Sequence, residues 1–299
     1  MYIIQKNLPF REIKNTDFPT GVQLQTCSMC NGRCTMCPYR DSFSHVKHGV
    51  MESKLFEKII DECSNYNVDE FKPFLMNEPL IDERFCSLIG YARKALPDTN
   101  IGFSTNGTYL TESVGNGLIN FCVDEVWVNF SGNTEETFKK TMHGLDYSLV
   151  KSNLIAFSKL VKSKKSELRI CISMVETMEC LPEIEESKAF WANYGVTVVP
   201  IPFNNRGGNS DEQGIKVLSK PIGKRICDKP TTKICILYNG DVVLCPSDWY
   251  RTCIIGNVNE SSIYDIWNSD ERLSIIDKIL RCSYDEISLC EKCDFPLLY

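Results

Sequence analysis

Thr26-Cys27-Ser28-Met29-Cys30-Asn31-Gly32-Arg33-Cys34-Thr35-Met36-Cys37-Pro38-Tyr39 is the stretch on which the reading of this chain turns. It follows a β-rich run, Val22–Thr26, and sets Cys30, Cys34 and Cys37 in a C-x3-C-x2-C spacing. Three thiolates this close can hold three irons of a [4Fe–4S] cube if the loop wraps tightly, and Gly32 eases such a turn. The fourth iron is then left to a small molecule. Two other readings use the same residues. Cys27-x2-Cys30 with Cys34-x2-Cys37 is a four-thiolate set for zinc, but its gap is far shorter than the ~12–20 residues between zinc-ribbon pairs. Cys37-Pro38 resembles a ferredoxin, where four thiolates saturate the cube. Cys27 reads as a bystander.

The rest of the chain sets the bounds. It has 299 residues, 43% hydrophobic and 24% charged, which suits a folded protein with a sizeable core. No run approaches the ~20 apolar residues of a membrane span, and the first residues lack the apolar core of a secretory signal, so a cytoplasmic location is expected. The net charge of −6 and the lack of a basic run argue against nucleic acid. Sixteen cysteines in a reducing compartment point to metal or redox chemistry rather than disulfides. Cys63, Cys86, Cys122, Cys171, Cys180 and Cys282 are scattered and read as small core residues.

From about residue 20 to 203, short β-rich runs alternate with helix-length segments. The strands expected are Val22–Thr26, Phe71–Met76, Ile101–Thr105, Glu125–Phe130, Leu168–Val175 and Val196–Ile201. Helices are expected over Glu52–Ser64, Asp82–Ala95, Ser148–Lys162 and Pro182–Tyr194. About six such units imply an α/β fold, a parallel sheet curled by right-handed crossovers into a partial (βα)6 barrel. Reactive groups of such barrels sit on loops after the strands. The division expected is an N-terminal extension over 1–19, the barrel over 20–205 and a small cysteine-rich domain over 206–299, held by metal rather than by core size.

On these residues the chain resembles the radical S-adenosylmethionine (SAM) superfamily. That resemblance implies that Cys30, Cys34 and Cys37 hold a cube whose open iron chelates SAM, with a 5′-deoxyadenosyl radical as the product of SAM cleavage. It also implies SAM contacts from Tyr39, from Asn77, Glu78 and Pro79 in Met76-Asn77-Glu78-Pro79, and from Thr105 and Asn106 in Ser104-Thr105-Asn106-Gly107. Glu78 is expected to accept from the amino group of SAM. Asn77 stands where the family usually has Gly. Ser131 opens Ser131-Gly132-Asn133, which departs from the usual Ser-x-Asp-Gly at both later positions. Ser173 is expected at the ribose and Val199 at the adenine.

The tail resembles the SPASM domain in its shortened "twitch" form. Cys227 and Cys245 fall in C-x12-G-x4-C, with Asn239-Gly240 as a hairpin turn. Ile255-Gly256-Asn257, a helix bearing Trp267, and Cys290-x2-Cys293 follow. The resemblance implies that Cys227, Cys245, Cys290 and Cys293 hold one auxiliary [4Fe–4S] cluster. By donor chemistry alone, zinc suits the same four thiolates.

Relatives with such a tail include aminocyclitol dehydrogenases and anaerobic sulfatase-maturing enzymes. The short N-terminal extension favours a small-molecule substrate, with a short peptide as the other possibility, and an external donor such as flavodoxin or ferredoxin. The expected reaction is two-electron oxidation of a sugar or aminocyclitol-like alcohol, with the auxiliary cluster as acceptor. A radical epimerase with a Cys hydrogen donor, a peptide-modifying maturase, and a non-catalytic iron–sulfur redox or regulatory protein are the alternatives. Asp248 as base or substrate contact, or equally as a plain turn residue at the hairpin end, Arg206 as a fork for substrate oxygen, and Cys253 as hydrogen donor are the catalytic candidates. Cys235 is a second thiol for that role, and His45, His48 and His143 are the possible histidine bases.

Overall fold

The computed structural model describes residues 16–210 and 227–294, so residues 1–15 of the N-terminal extension lie outside it. In chain order its main elements are β1 (Gly21–Leu24), α1 (Tyr39–Ser42), α2 (Ser53–Cys63), β2 (Glu70–Lys72), α3 (Phe85–Ala95), β3 (Asn100–Thr105), α4 (Glu112–Asn120) and β4 (Glu125–Asn129). Then come α5 (Glu135–Thr141), α6 (Tyr147–Ser163), β5 (Arg169–Val175), α7 (Ile184–Ala192) and β6 (Thr197–Ile201). The tail adds α8 (Lys229–Thr232), β7 (Lys233–Ile236), β8 (Asp241–Val243), β9 (Ile254–Asn257), α9 (Ile263–Trp267) and α10 (Asp270–Leu280).

β1 to β6 pair in parallel in chain order, which is the expected partial barrel. Each strand divides its side chains between two faces. Val126 and Val128 of β4, and Ile170, Ile172 and Met174 of β5, are buried in the core under the helices. The alternate positions Trp127, Asn129, Cys171 and Ser173 therefore line the other face, and they are largely polar. Helices α4 and α5, which the periodicity did not single out, begin on Thr111 and Thr134, whose hydroxyls accept from Val114 N–H and Thr137 N–H.

The tail differs from the expectation of a unit held by metal alone. β7 pairs in parallel with β1, from Gly21 opposite Lys233 to Leu24 opposite Ile236, and the sheet runs on through antiparallel β8 and β9 to nine strands. Ile234, Ile236, Val242, Trp267, Ile276 and Ile279 join the same apolar core as Val22 and Leu24. The physical reason is the edge: β1, buried on both faces, would otherwise expose a row of unpaired N–H and C=O groups. The turn at Asn239-Gly240 is as expected, with Gly240 at φ +90°.

Candidate functional site

The loop after β1 carries Cys30, Cys34 and Cys37, all three partly buried. It hangs between two supports. On one side Arg33 N–H donates to His143 O (2.7 Å) and Thr35 N–H to Thr141 O (2.9 Å). On the other, the Tyr39 hydroxyl accepts Cys30 N–H at 2.8 Å. Tyr39 is thus a buried strut of the loop. Cys37 N–H closes a turn on Cys34 O (3.1 Å), and Gly32 N–H points at Cys30 Sγ (3.4 Å). Gly32 is not in the left-handed region, and a Cβ there meets only ordinary contacts. The glycine this packing requires is Gly144, at φ +82°, where a Cβ would stand 3.2 Å from Asn31 O.

Burial pushes the Cys30 thiol up to about 12, with Glu78 and Cys37 adding to it. Cys34 and Cys37 are raised by burial as well, Cys34 further by Cys37 and Cys30. Arg33 and Arg206 act in the opposite sense on Cys37. Three buried thiols that feel one another and resist ionisation suit a cationic centre, which would turn them into thiolates.

Glu78, Thr105 and Asn106, from separate motifs, meet in one network. The buried Glu78 carboxylate accepts from Thr105 Oγ1 (2.7 Å), Leu80 N–H (3.1 Å) and Asn106 N–H (2.6 Å). Asn106 Nδ2 donates on to Asn31 Oδ1 in the cysteine loop at 2.7 Å. Burial outweighs these donors and lifts the Glu78 carboxyl to about 7. Of its roughly four acceptor positions, three are filled, which leaves about one for an incoming amine. Pro79, next in the chain, is buried in the turn that Glu78 caps.

Asn77 is turned away from the expected ligand. Its Oδ1 accepts from Leu75 N–H (2.8 Å) and its Nδ2 donates to Cys27 Sγ (3.6 Å). Cys27 is fully buried, and its thiol also reaches Glu78 O at 3.7 Å. Together they pin a turn in which Met76 takes φ +55°. Ser131 is likewise closed off, buried with its hydroxyl accepting from Val175 N–H at 3.1 Å. Nearby, Glu183 accepts from Asn133 N–H and from the hydroxyls of Thr134 and Thr137, a clamp that no spacing announces. Ser173 does sit on the open face, its hydroxyl 2.5 Å from Asn129 Oδ1, and the register sets it beside Val199.

In the tail, Cys227, Cys245, Cys290 and Cys293 line one cavity, with Pro230, Leu244, Ile279 and Tyr284 among its other walls. The Tyr284 hydroxyl accepts Cys227 N–H at 2.9 Å, and Cys293 N–H closes a turn on Cys290 O at 3.1 Å. Burial lifts the Cys227 thiol to about 12, with Cys245 adding to it, and Cys290 is raised by burial and by Cys245, Cys293 and Cys227. Among the described residues no three His, Cys, Asp or Glu side chains meet closely enough to grip a single metal ion.

Of the catalytic candidates, Asp248 takes the part of a turn residue. It is buried, and its carboxylate accepts from Thr252 N–H (2.8 Å), Thr252 Oγ1 (3.0 Å) and Cys253 N–H (2.8 Å), so it locks the turn after Cys245 instead of facing a substrate. Arg206 lies at φ +52° in the junction whose Ser210 hydroxyl donates to Met36 O, so this segment abuts the first cysteine loop. Cys253 is partly buried, with burial raising its thiol to about 11, and it adds to the charge felt by Cys290. Cys235 is buried in β7. His48 has both ring nitrogens engaged, by Phe43 O and by Ser28.

A cysteine loop at the open ends of a parallel partial barrel, followed by a four-thiol tail on the same sheet, makes the chain similar to SAM-dependent enzymes that carry a C-terminal iron–sulfur domain. The SPASM family model, an iron–sulfur cluster-binding domain, matches residues 227–294. The chain is 26% identical to the tungsten-containing aldehyde ferredoxin oxidoreductase cofactor-modifying protein of Pyrococcus furiosus, over 91% of this chain and 88% of the relative. It is 21% identical to the S-adenosyl-L-methionine-dependent 2-deoxy-scyllo-inosamine dehydrogenase of Niallia circulans, over 91% and 92%. Among solved structures, BtrN in complex with AdoMet and 2-DOIA superposes with a TM-score of 0.64 at 18% identity, over 92% of both chains. The cofactors of this class are SAM and [4Fe–4S] clusters, and both thiol sets have the donor chemistry to hold a cluster. Among the described residues no helix is long and apolar enough to cross a membrane.

Proposed function

We propose that the chain oxidises a small hydroxylated substrate, of the sugar or aminocyclitol kind, by removing two hydrogens from a carbinol. The observation that carries this is the pairing of a three-thiol loop at the strand ends with a four-thiol cavity on the same sheet. Near full-length similarity to a dehydrogenase of a small aminocyclitol supports it. In this reading Cys30, Cys34 and Cys37 hold the first cube, and Cys227, Cys245, Cys290 and Cys293 the second. When bound, SAM on the first cube would supply the 5′-deoxyadenosyl radical that takes one hydrogen atom, and the second cube would accept the remaining electron as the hydroxyl proton leaves to solvent.

The chain's own residues supply position. Glu78, fixed by Thr105 and Asn106, offers its one remaining acceptor site to the amino group of SAM. Tyr39 holds the loop from behind. The pair Asn129 and Ser173, with Val199 beside them, gives the barrel face a polar edge for ribose hydroxyls and an apolar neighbour for adenine. Arg206, next to the first loop, is the fork for a substrate oxygen. Electrons for the first site come from a flavodoxin or ferredoxin type of donor.

The test is anaerobic incubation of reconstituted protein with SAM, dithionite and a panel of aminocyclitols and sugar alcohols. The expected result is 5′-deoxyadenosine together with a ketone that has lost two hydrogens. An epimerised product of unchanged mass overturns the oxidation, and Cys253 then becomes the hydrogen donor to examine. Absence of 5′-deoxyadenosine with every substrate and with none overturns the catalytic reading itself.

A further inference from the structure

Arg272 is a buried guanidinium that the proposed chemistry leaves unused. It lies in the first turn of α10 and is 1% exposed. Nη1 donates to Trp267 O at 2.7 Å, Nη2 donates to Pro230 O at 2.9 Å, and the group lies 3.2 Å over the Trp267 ring. Among the described residues no carboxylate pairs with it, and burial alone lowers its pKa to about 10, which still leaves it charged at neutral pH. An isolated buried charge costs several kcal/mol. Two carbonyls and a ring offset part of that and bring no negative charge.

The missing countercharge has an obvious place. Pro230, whose carbonyl takes Nη2, lines the four-thiol cavity with Cys227 and with Lys229, a cation already at its wall that Arg272 would reinforce. Ile279, two turns further along α10, lines it too. A cube held by four thiolates is negative in both oxidation states and more so when reduced. We propose that Arg272 is the charge partner of the iron–sulfur group in the tail and holds its reduction potential high enough to accept an electron. This rests on the reading of that cavity as a cluster site. It acts through the field at the cavity, so Arg272 is a positioning and tuning residue, not a catalytic one. A cation at this place stabilises the reduced form more than the oxidised form, since the reduced form carries the additional electron.

The experiment uses the full chain with Cys30→Ala/Cys34→Ala/Cys37→Ala, so that only the tail group titrates. Its midpoint potential is followed by electron paramagnetic resonance in this parent, in Arg272→Met and in Arg272→Lys. Arg272→Met is expected to lower the potential enough to shift the reduced-to-oxidised ratio at least tenfold, about 59 mV for one electron. Arg272→Lys, which keeps the charge, should recover most of it. The metal-free Arg272→Met chain should lose less stability than the loaded one, because removal of the buried charge offsets part of the cost of stranding the Trp267 and Pro230 carbonyls. An unmoved potential, or a metal-free form that loses as much stability as the loaded one, overturns the proposal and leaves Arg272 a packing residue. If Arg272→Met does not keep its iron, Arg272→Gln is read by the same potential. Iron lost from both while the metal-free chain keeps a cooperative melt supports the charge role, and iron lost together with that melt overturns it. A parent without iron in the tail sinks the reading of the cavity, and this proposal with it, whereas iron present with an unmoved potential sinks this proposal alone.

Discussion

The two cysteine loops are built from the same small parts and end up different. In each, a tyrosine hydroxyl accepts the N–H of the first cysteine, Tyr39 for Cys30 and Tyr284 for Cys227. In each, a C-x2-C pair closes a turn from its second N–H to its first carbonyl. The first loop is continuous in sequence, braced by polar backbone contacts to residues 141 and 143, and offers three thiols. The second is gathered from residues 227 to 293, walled by Leu244, Ile279 and Pro230, and offers four. A short polar loop with one ligand too few keeps a place for a small molecule, while an apolar four-thiol pocket closes on its contents.

The largest effect should come from emptying one loop at a time. Cys30→Ala/Cys34→Ala/Cys37→Ala is expected to abolish 5′-deoxyadenosine and to drop iron from about eight to about four per chain. Cys290→Ala/Cys293→Ala should lose a similar amount of iron, keep SAM cleavage and lose the oxidised product. If the tail pair also abolished SAM cleavage, the division of labour between open and closed loops would fail.

Next is the charge buried beside the first loop. The Glu78 carboxyl titrates at about 7 in the fold against 4.5 ordinarily. Its folded form therefore holds its proton more tightly than the unfolded chain does. The stability it contributes is fully present below about pH 4.5 and is lost as pH rises through about 7, some 3 kcal/mol in all. Urea melts of the metal-free protein between pH 4.5 and 8 should show that slope, and Glu78→Gln should remove it. A metal-free protein whose stability is flat over this window would mean that the three donors to Glu78 win over burial.

Tyr39→Phe and Tyr284→Phe separate the struts. Each strands one backbone N–H at a cost of about 1–3 kcal/mol. The first should loosen iron only in the three-thiol loop and the second only in the tail, read by cluster spectra in the two backgrounds above. Iron loss spread over both sites would show that the loops are one cooperative unit.

The sequence carried the three-thiol loop and the barrel strands because both are local. A C-x3-C-x2-C spacing and period-2 runs are complete within a dozen residues. Glu78 with Thr105 and Asn106 was legible as motifs, though not as one network. The continuation of the sheet through β7 was not legible, since a parallel pairing of Gly21 with Lys233 depends on β1 having a free edge. The role of Asp248 stayed open between turn and ligand contact, because a carboxylate three residues past a cysteine looks alike whether it caps a turn or faces a ligand. Tyr284 and Arg272 leave no signal in spacing; only the packed tail brings Tyr284 to the cavity wall and Arg272 to the carbonyl of Pro230 in that wall.

The smallest expected effect bears most directly on three thiols against four. Cys27 lies only three residues before Cys30 and is the one cysteine that could make the first loop a closed set. Its thiol instead takes Asn77 Nδ2 and reaches Glu78 O, pinning the turn at Met76. A left-handed non-glycine residue costs about 1–3 kcal/mol unless its surroundings hold it, and these contacts are what hold it. Cys27→Ala should therefore leave the iron count unchanged and lose about 1–2 kcal/mol in urea unfolding. Asn77→Gly should lose a similar amount, because Leu75 N–H is stranded and a glycine adds freedom to the unfolded chain. The double variant should lose less than the sum, since both act on the same turn. Loss of about four irons in Cys27→Ala would instead make it a ligand, give both loops four thiols, and remove the open site on which SAM chemistry in this chain depends.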